Sequence, residues 1–515
     1  MKNNYLSIQA VLKGAFSLLC LTFFSNNAQG QSDYSVTPIP YQIYTATSAV
    51  QGTMDDTFSA PIPLGFNFDF YGTLYSSVNV STNGYISFTP QTQGSFSPWT
   101  FNQAIPNANF PAKNSLLGCF HDLNNSNAEG TITYSIIGTA PYRRLVVLFN
   151  NQSHFSCTQT KSSFQMVLYE TLNIMDVQII DKGLCSTWNS GNSVTGIIDQ
   201  TGLQAVTPPG RNTGQWAATQ EGWRFQRPIS TNTYLFAKCD DDTDGLVSFN
   251  LQVVQNDLSA ADPLLVSFYS NEQDAISQTN AFVSLNYTNT ANNETIYANV
   301  NGEIKTVVLR VVDCAADYDL DSVATADEDL NADTNLANDD TDADGIPNFI
   351  DNDDDGDLIL TAVEYVFQRS ANAALAYLDT DNDGILNYLD NDDDGDGILT
   401  IMEDANQNNN PADDDVNGNN VPDYLEFTAL AIDQFIKSQV TIFPNPASSV
   451  LNIENKSTEA ISSIAIYNLN GAVVKEIKSS QAALQTIPVA ELNSGVYFVK
   501  VELKGQVVNF KFVKK

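Results

Sequence analysis

Between residues 317 and 426 the sequence places carboxylates where a hard divalent cation takes its ligands. Asp392, Asp394 and Asp396 alternate with single residues, Gly397 follows, and Glu403 closes a twelve-residue frame. Oxygens at positions 1, 3, 5 and 12 of such a frame can surround calcium, and glycine at position 6 permits the sharp turn. The frame recurs at Asp340, Asp342, Asp344, Gly345 and Asp351, and at Asp379, Asp381, Asp383, Gly384 and Asp390. Three copies depart at position 6: Asp353, Asp355, Asp357 and Glu364 with Leu358; Asp415, Asn417, Asn419 and Glu426 with Asn420; Asp317, Asp319, Asp321 and Glu328 with Ser322. Residues 329–340 and 404–415 are weaker candidates. Two pairs of loops repeat at an offset of 39 residues, which marks a true internal repeat.

This stretch holds 32 of the chain's 60 carboxylates and one basic residue, Arg369. Carboxylates this dense repel one another and cannot form an apolar core unaided. Single residues, Asn352 and Asn391, separate successive loops, so ordinary helix-loop-helix pairs do not fit. Loops ending in Glu are expected to run into short helices at 361–378 and 421–437. Ile346, Phe349, Ile350, Ile385, Tyr388 and Leu389 are expected to pack over the backbone wrap. The segment resembles thrombospondin type 3 repeats. That resemblance implies a chain wound around calcium ions and acting as a stiffened spacer.

The elements around this spacer read as β structure. The expected architecture is mainly β: multidomain β-sandwiches joined by an irregular calcium-binding repeat segment with short helices. Residues 1–30 read as a signal peptide, with Lys2 and Lys13 before a short apolar run and small residues at 28–30. No later stretch is apolar enough to span a membrane, so no transmembrane segment is expected in the mature chain. A net charge of −37 without any basic stripe argues against nucleic-acid binding.

Residues 31–237 carry short apolar or alternating runs between turns, at 66–71, 78–80, 85–88, 131–137, 145–149, 164–169 and 177–180. Asn83-Gly84 is a tight-turn candidate. A two-sheet sandwich follows. "PIPLGFNFDFYGTLYSSVNVSTNGYISF", "YRRLVVLFNNQSHFSC", "FQMVLYE" and "CSTWNSG" resemble an extracellular module of secreted Bacteroidetes proteins, distantly nidogen-like, which implies no established catalysis. Residues 238–315 form a second, small β module with strands near 246–251, 265–269, 296–300 and 306–312. Its "CDDDTDGLVSFNL" resembles small modules of secreted gliding-motility-associated proteins. Asp240, Asp242, Asp244 and Gly245 copy half a calcium loop there, but Leu251 stands at position 12.

In an exported chain cysteines form disulfides. Cys239 and Cys314 bracket the small module and are expected to pair, as are Cys157 and Cys185, leaving Cys119 as a free thiol.

The spacer, residues 316–437, gives way to residues 438–515, where eight Lys face five Glu and seven short strands alternate with turns. A small Ig-like sandwich is expected. "FPNPASSVLNI", "IYNLNGAVV", "LNSGVYFVKV" and the terminal "KFVKK" resemble the type IX secretion C-terminal sorting domain. The resemblance implies handling by the type IX machinery, removal of the signal peptide and sorting domain, and release or outer-membrane surface attachment.

No nucleophile elbow, zinc-helix motif or phosphate loop occurs, so no catalytic residue is assigned. His121-Asp122 near Cys119 could suggest a metal site or a Cys–His pair; the plainer reading is a strand-edge histidine and a packed cysteine. Trp188 and Trp216, in Ser/Asn/Gly and Gly/Gln contexts, are expected to be exposed and to stack on a ligand such as a sugar. The function expected is a secreted, cell-surface calcium-binding adhesion protein recognising glycans or matrix proteins. An exported hydrolase and a structural matrix component stay open, since a carboxylate pair for glycoside hydrolysis is set by spatial separation.

Overall fold

The computed structural model describes residues 34–515, apart from 53, 127–129, 229, 231, 370–374, 428–439, 457–460, 469–472, 481–483 and 504–505. The signal peptide expected at 1–30 lies outside the described residues. The chain is mainly β and divides into two compact units, Met1–Ser230 and Thr231–Lys515.

The first unit packs two antiparallel sheets face to face. In spatial order one runs Ser35–Ile39, Ala218–Gln226, Met175–Lys182, Lys161–Tyr169, Arg144–His154, Thr131–Ile137 and Ser48–Ala49, with Leu123–Asn124 also paired to Arg144–His154. The other runs Ala205–Val206, Val194–Ile198, Ser115–Phe120, Tyr85–Ser87, Thr73–Ser81 and Ile62–Phe70. Alternation explains the packing. Along Ile62–Phe70 every second side chain turns inward, and Leu64, Phe68 and Phe70 share a core with Leu145, Val147, Phe164 and Met166 of the facing sheet. The Asn83-Gly84 turn is tight because Gly84 sits at φ 87° with its α-carbon against the Cys119 carbonyl; a β-carbon would come within 2.4 Å of that oxygen.

Ser115–Phe120, Val194–Ile198, Ala218–Gln226 and Ser35–Ile39 are among the strands of this unit that escaped the sequence reading. The first two are buried on both faces, since residues 97–112 cover the outer side with Phe101, Ile105 and Phe110. They therefore show no polar alternation.

The outer face of the larger sheet is polar yet closed. Tyr44 N donates to Gln165 Oε1 (3.0 Å) and Arg144 Nη1 donates to the Tyr44 hydroxyl (3.2 Å). Beneath this cover Arg224 grips Asp176 through Nε and Nη2 at 3.1 and 3.2 Å, and Tyr169 donates to Asp176 Oδ2 at 2.7 Å.

In the second unit, Thr233–Cys239 pairs in parallel with Glu303–Val312, which pairs antiparallel with Glu294–Val300 and, through it, Val266–Tyr269. The Cys239–Cys314 disulfide closes this module with α-carbons 5.4 Å apart, and Cys157–Cys185 closes a loop of the first unit at 5.8 Å; Cys119 is a buried thiol. The small module also contains helices at Leu251–Leu258 and Glu272–Ser277, where the sequence reading had only strands. Asn250 caps the first by accepting from Gln252 N, and Leu251, Val253 and Val254 point into the core. That apolar spacing fits a helix as well as a strand over so short a run. Residues 440–515 form the expected seven strands in two sheets, around Leu451, Ile453, Ile464, Val499 and Phe512.

Breaking the buried Arg224–Asp176 pair leaves a charge stranded. Asp176→Ala should cost about 3–5 kcal/mol in a urea unfolding curve of the first unit. Arg143→Ala, which opens the more exposed pair with Glu170, should cost about 1 kcal/mol or less. Equal costs would mean that burial does not set the value of these pairs.

Candidate metal centre

The acidic segment is eight loops of one conformation. Position 4 has positive φ in every frame: Leu320 (69°), Ala332 (58°), Ala343 (60°), Gly356 (71°), Asn382 (63°), Gly395 (67°), Gln407 (61°) and Gly418 (72°). Position 6 does too: Ser322 (82°), Thr334 (77°), Gly345 (89°), Leu358 (76°), Gly384 (101°), Gly397 (91°), Asn409 (64°) and Asn420 (70°). Leucine and threonine seldom adopt this region, so the surrounding structure must impose it. The loops at 329 and 404, weak by sequence, share it fully.

Carboxylates hold the turns. The position 6 amide donates to the position 1 carboxylate from Gly345 to Asp340 (3.1 Å), Gly397 to Asp392 (3.1 Å), Thr334 to Asp329 (3.0 Å) and Asn420 to Asp415 (2.8 Å). Each loop then extends and ends in a single helical turn: Thr325–Asp327, Leu336–Asn338, Asn348–Ile350, Thr361–Glu364, Asn387–Leu389, Thr400–Met402, Pro411–Asp413 and Asp423–Leu425. The helix expected at 361–378 is thus one turn, after which Phe367–Arg369 pairs with Leu375–Tyr377; Tyr365, Val366 and Phe367 favour the extended chain. The helix expected at 421–437 is likewise one turn as far as residue 427, and residues 428–439 lie outside the described residues. Phe349, Ile350 and Tyr388 are buried as expected, but Ile385 is exposed.

The 39-residue repeat is visible bond by bond. Asn348 Nδ2 donates to Thr341 Oγ1 (2.8 Å) and Asn387 Nδ2 to Thr380 Oγ1 (2.9 Å). Asp354 N donates to Thr361 Oγ1 (3.0 Å) and Asp393 N to Thr400 Oγ1 (3.5 Å). Gly356 and Gly395 are needed where loops abut: a β-carbon would stand 2.6 Å from Asp342 Oδ2 and 2.4 Å from Asp381 Oδ2.

Within the frames the predicted ligands converge. One oxygen each from Asp317, Asp319 and Asp321 lies within 4.8 Å of the others, as in the sets Asp340, Asp342, Asp344 and Asp353, Asp355, Asp357. The structure adds two residues that sequence reasoning missed. Asp354, at position 2 of its own loop, joins Asp321 and Glu328 of an earlier one. Asp393 stands beside Asp357 and Glu364 in the equivalent relation. Their sequence signal is the motif "NDDDGD", which occurs at both places.

The sites differ in depth. Glu328, Glu364 and Glu403 are buried, and both oxygens of Asp354 and of Glu403 are buried without a hydrogen-bond donor. Such oxygens fit a hard cation, for which carboxylate sets are the natural donors. By contrast Asp383 of the 379–390 loop is exposed, and in the last loop the amides of Asn417 and Asn419 already donate to the Glu426 carboxylate. In the partial loop of the small module Asp240 accepts from Gly245 N (2.8 Å), but its acids lie open to solvent and Leu251 begins a helix.

Of the expected aromatic platform, Trp188 is half-buried, with ring centres 4.9 Å from Phe155 and 5.8 Å from Trp99. Trp216, expected to be exposed, is buried. Its ring lies under Lys182 and Arg211 (4.5 and 4.9 Å) and its Nε1 donates to the Ser193 carbonyl, so it is a packing residue.

Four family profiles match parts of the chain: NIDO related at residues 31–238, Flavobacterium inter-domain disulphide bond domain at 235–315, BamM C-terminal at 318–378, and Secretion system C-terminal sorting domain at 441–515. The sorting domain and the Flavobacterium domain support a Bacteroidetes protein exported by the type IX system. Among the described residues no helix is long and apolar enough to cross a membrane. No curated protein matches the chain. A DUF3244 family protein with an immunoglobulin-like β-sandwich from Bacteroides vulgatus is 23% identical over 15% of this chain and 85% of its own, at TM-score 0.14. The BSP domain of a biofilm associated protein is 12% identical over 75% of this chain and 51% of its own, also at TM-score 0.14. Neither likeness bears on function.

Burial raises Asp321, Asp342, Asp357 and Asp394 to about 7, Asp393 to about 8, and Glu328 and Glu403 to about 9. Unfolded, these groups titrate near 4. Between about pH 4 and 9 the cation-free fold therefore binds more protons than the unfolded chain, and its stability falls as pH rises. In chelator, residues 317–426 should resist protease best near pH 4 and open progressively toward pH 9. Cleavage that is independent of pH would sink this account.

Proposed function

We propose that the chain is an exported cell-surface adhesion protein whose acidic segment is a calcium-wound spacer of the thrombospondin type 3 kind. One observation carries this reading. Eight successive loops keep the same two left-handed positions, even at Leu358 and Thr334, around buried carboxylates that include Asp354 and Glu403 without donors. A calcium ion would supply the positive charge that these oxygens face. Asp317, Asp319, Asp321, Glu328 and Asp354 would form one site, and Asp353, Asp355, Asp357, Glu364 and Asp393 another. Bound ions stabilise the folded spacer by mass action once calcium exceeds the dissociation constant, and extracellular loops as weak as ~10⁻⁴–10⁻³ M still fill.

The type IX machinery would read and remove residues 438–515, leaving the β modules carried on the spacer. The surface best suited to recognition in the first unit is the aromatic group Trp99, Phe155 and Trp188. Its apolar area with a polar edge fits a glycan or a matrix protein.

The test is binding of the oxidised chain to arrays of glycans and matrix proteins, first in calcium and then in chelator. Selective binding that Trp188→Ala weakens by at least about tenfold is expected, in line with the loss of one aromatic hot spot. Absence of any ligand in calcium would move the structural or hydrolytic readings ahead. Full binding by Trp188→Ala would place recognition elsewhere. For the spacer, calorimetry should register calcium uptake that Asp354→Asn and Asp393→Asn each reduce; unchanged uptake in both would remove the assigned sites.

A further inference from the structure

The chain has two histidines, and the fold brings them together. His121 follows the strand Ser115–Phe120 and His154 ends the strand Arg144–His154; both are buried. Their Nε2 atoms lie 3.1 Å apart, with the rings inclined at 61°. We propose that His121 and His154 are the ligands of a transition-metal site of the kind zinc occupies, separate from the carboxylate loops.

The proton positions follow from the partners. His121 Nδ1 lies 2.8 Å from the Cys119 carbonyl oxygen. A carbonyl can only accept, so the proton sits on Nδ1, and Nε2 turns a lone pair toward His154. A hydrogen bond from the far ring nitrogen to a carbonyl is how metal-binding imidazoles are oriented. Two nitrogens held about 2.0–2.1 Å from a tetrahedral ion stand about 3.3 Å apart, close to the spacing observed. Ser162 Oγ, 2.7 Å from His154 Nε2, adds an oxygen beside the second ligand.

A pocket of ≈ 20 Å³ opens onto both rings and is also lined by Asp122, Lys182, Trp188 and Asn189. That is room for one water or one ion. An imidazole pair that merely shared a hydrogen bond would need no such space. Asp122 supplies negative charge, and its Oδ2 is held by Trp188 Nε1 at 2.7 Å. Pocket water completes the set of ligands around the two imidazoles. Lys182 is the opposing charge. Its Nζ is tied to the carbonyls of Gly183 and Trp216, both at 3.0 Å. Imidazole nitrogens suit zinc, copper or nickel rather than calcium. Sulfur takes no part, because Cys157 and Cys185 are joined and burial pushes the Cys119 thiol up to about 12.

The test uses the oxidised full chain in millimolar calcium chloride, which occupies carboxylate sites, with zinc chloride titrated in. Calorimetry should give one zinc per chain, and cobalt should show ligand-field absorption without thiolate charge transfer. Histidine-selective ¹⁵N NMR reads the site directly, since only two residues are labelled: zinc should shift both Nε2 signals and leave both Nδ1 signals nearer their positions. His154→Gln, checked for folding by near-ultraviolet circular dichroism, should weaken zinc by at least about tenfold. Wild-type protein that binds no zinc, or zinc that leaves both Nε2 signals in place, overturns the proposal. The wild-type spectra decide the matter even where the variant fails to fold.

Discussion

Ionised carboxylates buried beside one another lose hydration and repel, at a cost of several kcal/mol for each ion left uncompensated. Residues 317–426 impose that cost repeatedly, at Asp321, Glu328, Asp354, Asp357, Glu364 and Glu403. Backbone amides offset part of it: those at positions 6 and 7 turn inward and donate to carboxylates, as Gly397 does to Asp392 and Ile398 to Asp396. Those donors require the left-handed turns, which accounts for Leu358 at φ 76°. The hydrogen bonds leave several oxygens over, and the proposed cations complete the compensation. On that proposal the folding of each loop is coupled to its ion, as in small metal-organised domains.

The acidic frames of the ladder could be read because their spacing is local. Positions 1, 3, 5 and 12 of one turn are adjacent in sequence, so a motif suffices. Asp354 and Asp393 were illegible because they stand beside acids of a neighbouring loop, and only the three-dimensional stacking brings Asp354 to Glu328. The loops at 329 and 404 looked weak because Asn331, Asn406 and Asn408 replace carboxylates, yet their backbone follows the same path. Asn335 shows what such a loop can do instead. Its amide oxygen accepts from Ala237 N (2.9 Å) and its Nδ2 donates to the Tyr234 hydroxyl (2.9 Å), docking the spacer on the small module.

In the β units the limits were different. Alternating strands such as Ile62–Phe70 and Gly495–Leu503 announce themselves, because one face is wet. Ser115–Phe120 and Val194–Ile198 do not, since both faces are dry. Trp216 was misplaced for a related reason: its Gly/Gln surroundings suggest a loop, but that segment folds back over Lys182 and the indole closes on the ammonium. Local composition reports polarity near a residue, not what packs onto it from 34 positions away.

The depth of the carboxylates also orders the spacer internally. Loops closed by buried glutamates at 328, 364 and 403 gain most from a cation, because their oxygens have the fewest other partners. The last loop has replaced two carboxylates by Asn417 and Asn419, whose amides already satisfy Glu426; to bind an ion it must break those bonds and turn the amide oxygens inward. Under falling calcium the proposed spacer would therefore empty first near residues 415–426, while the deeper loops, tied through Asp354 and Asp393, hold together longest. A ladder of equal sites would melt in one step, whereas the proposed one would empty in grades set by which acids the fold buries.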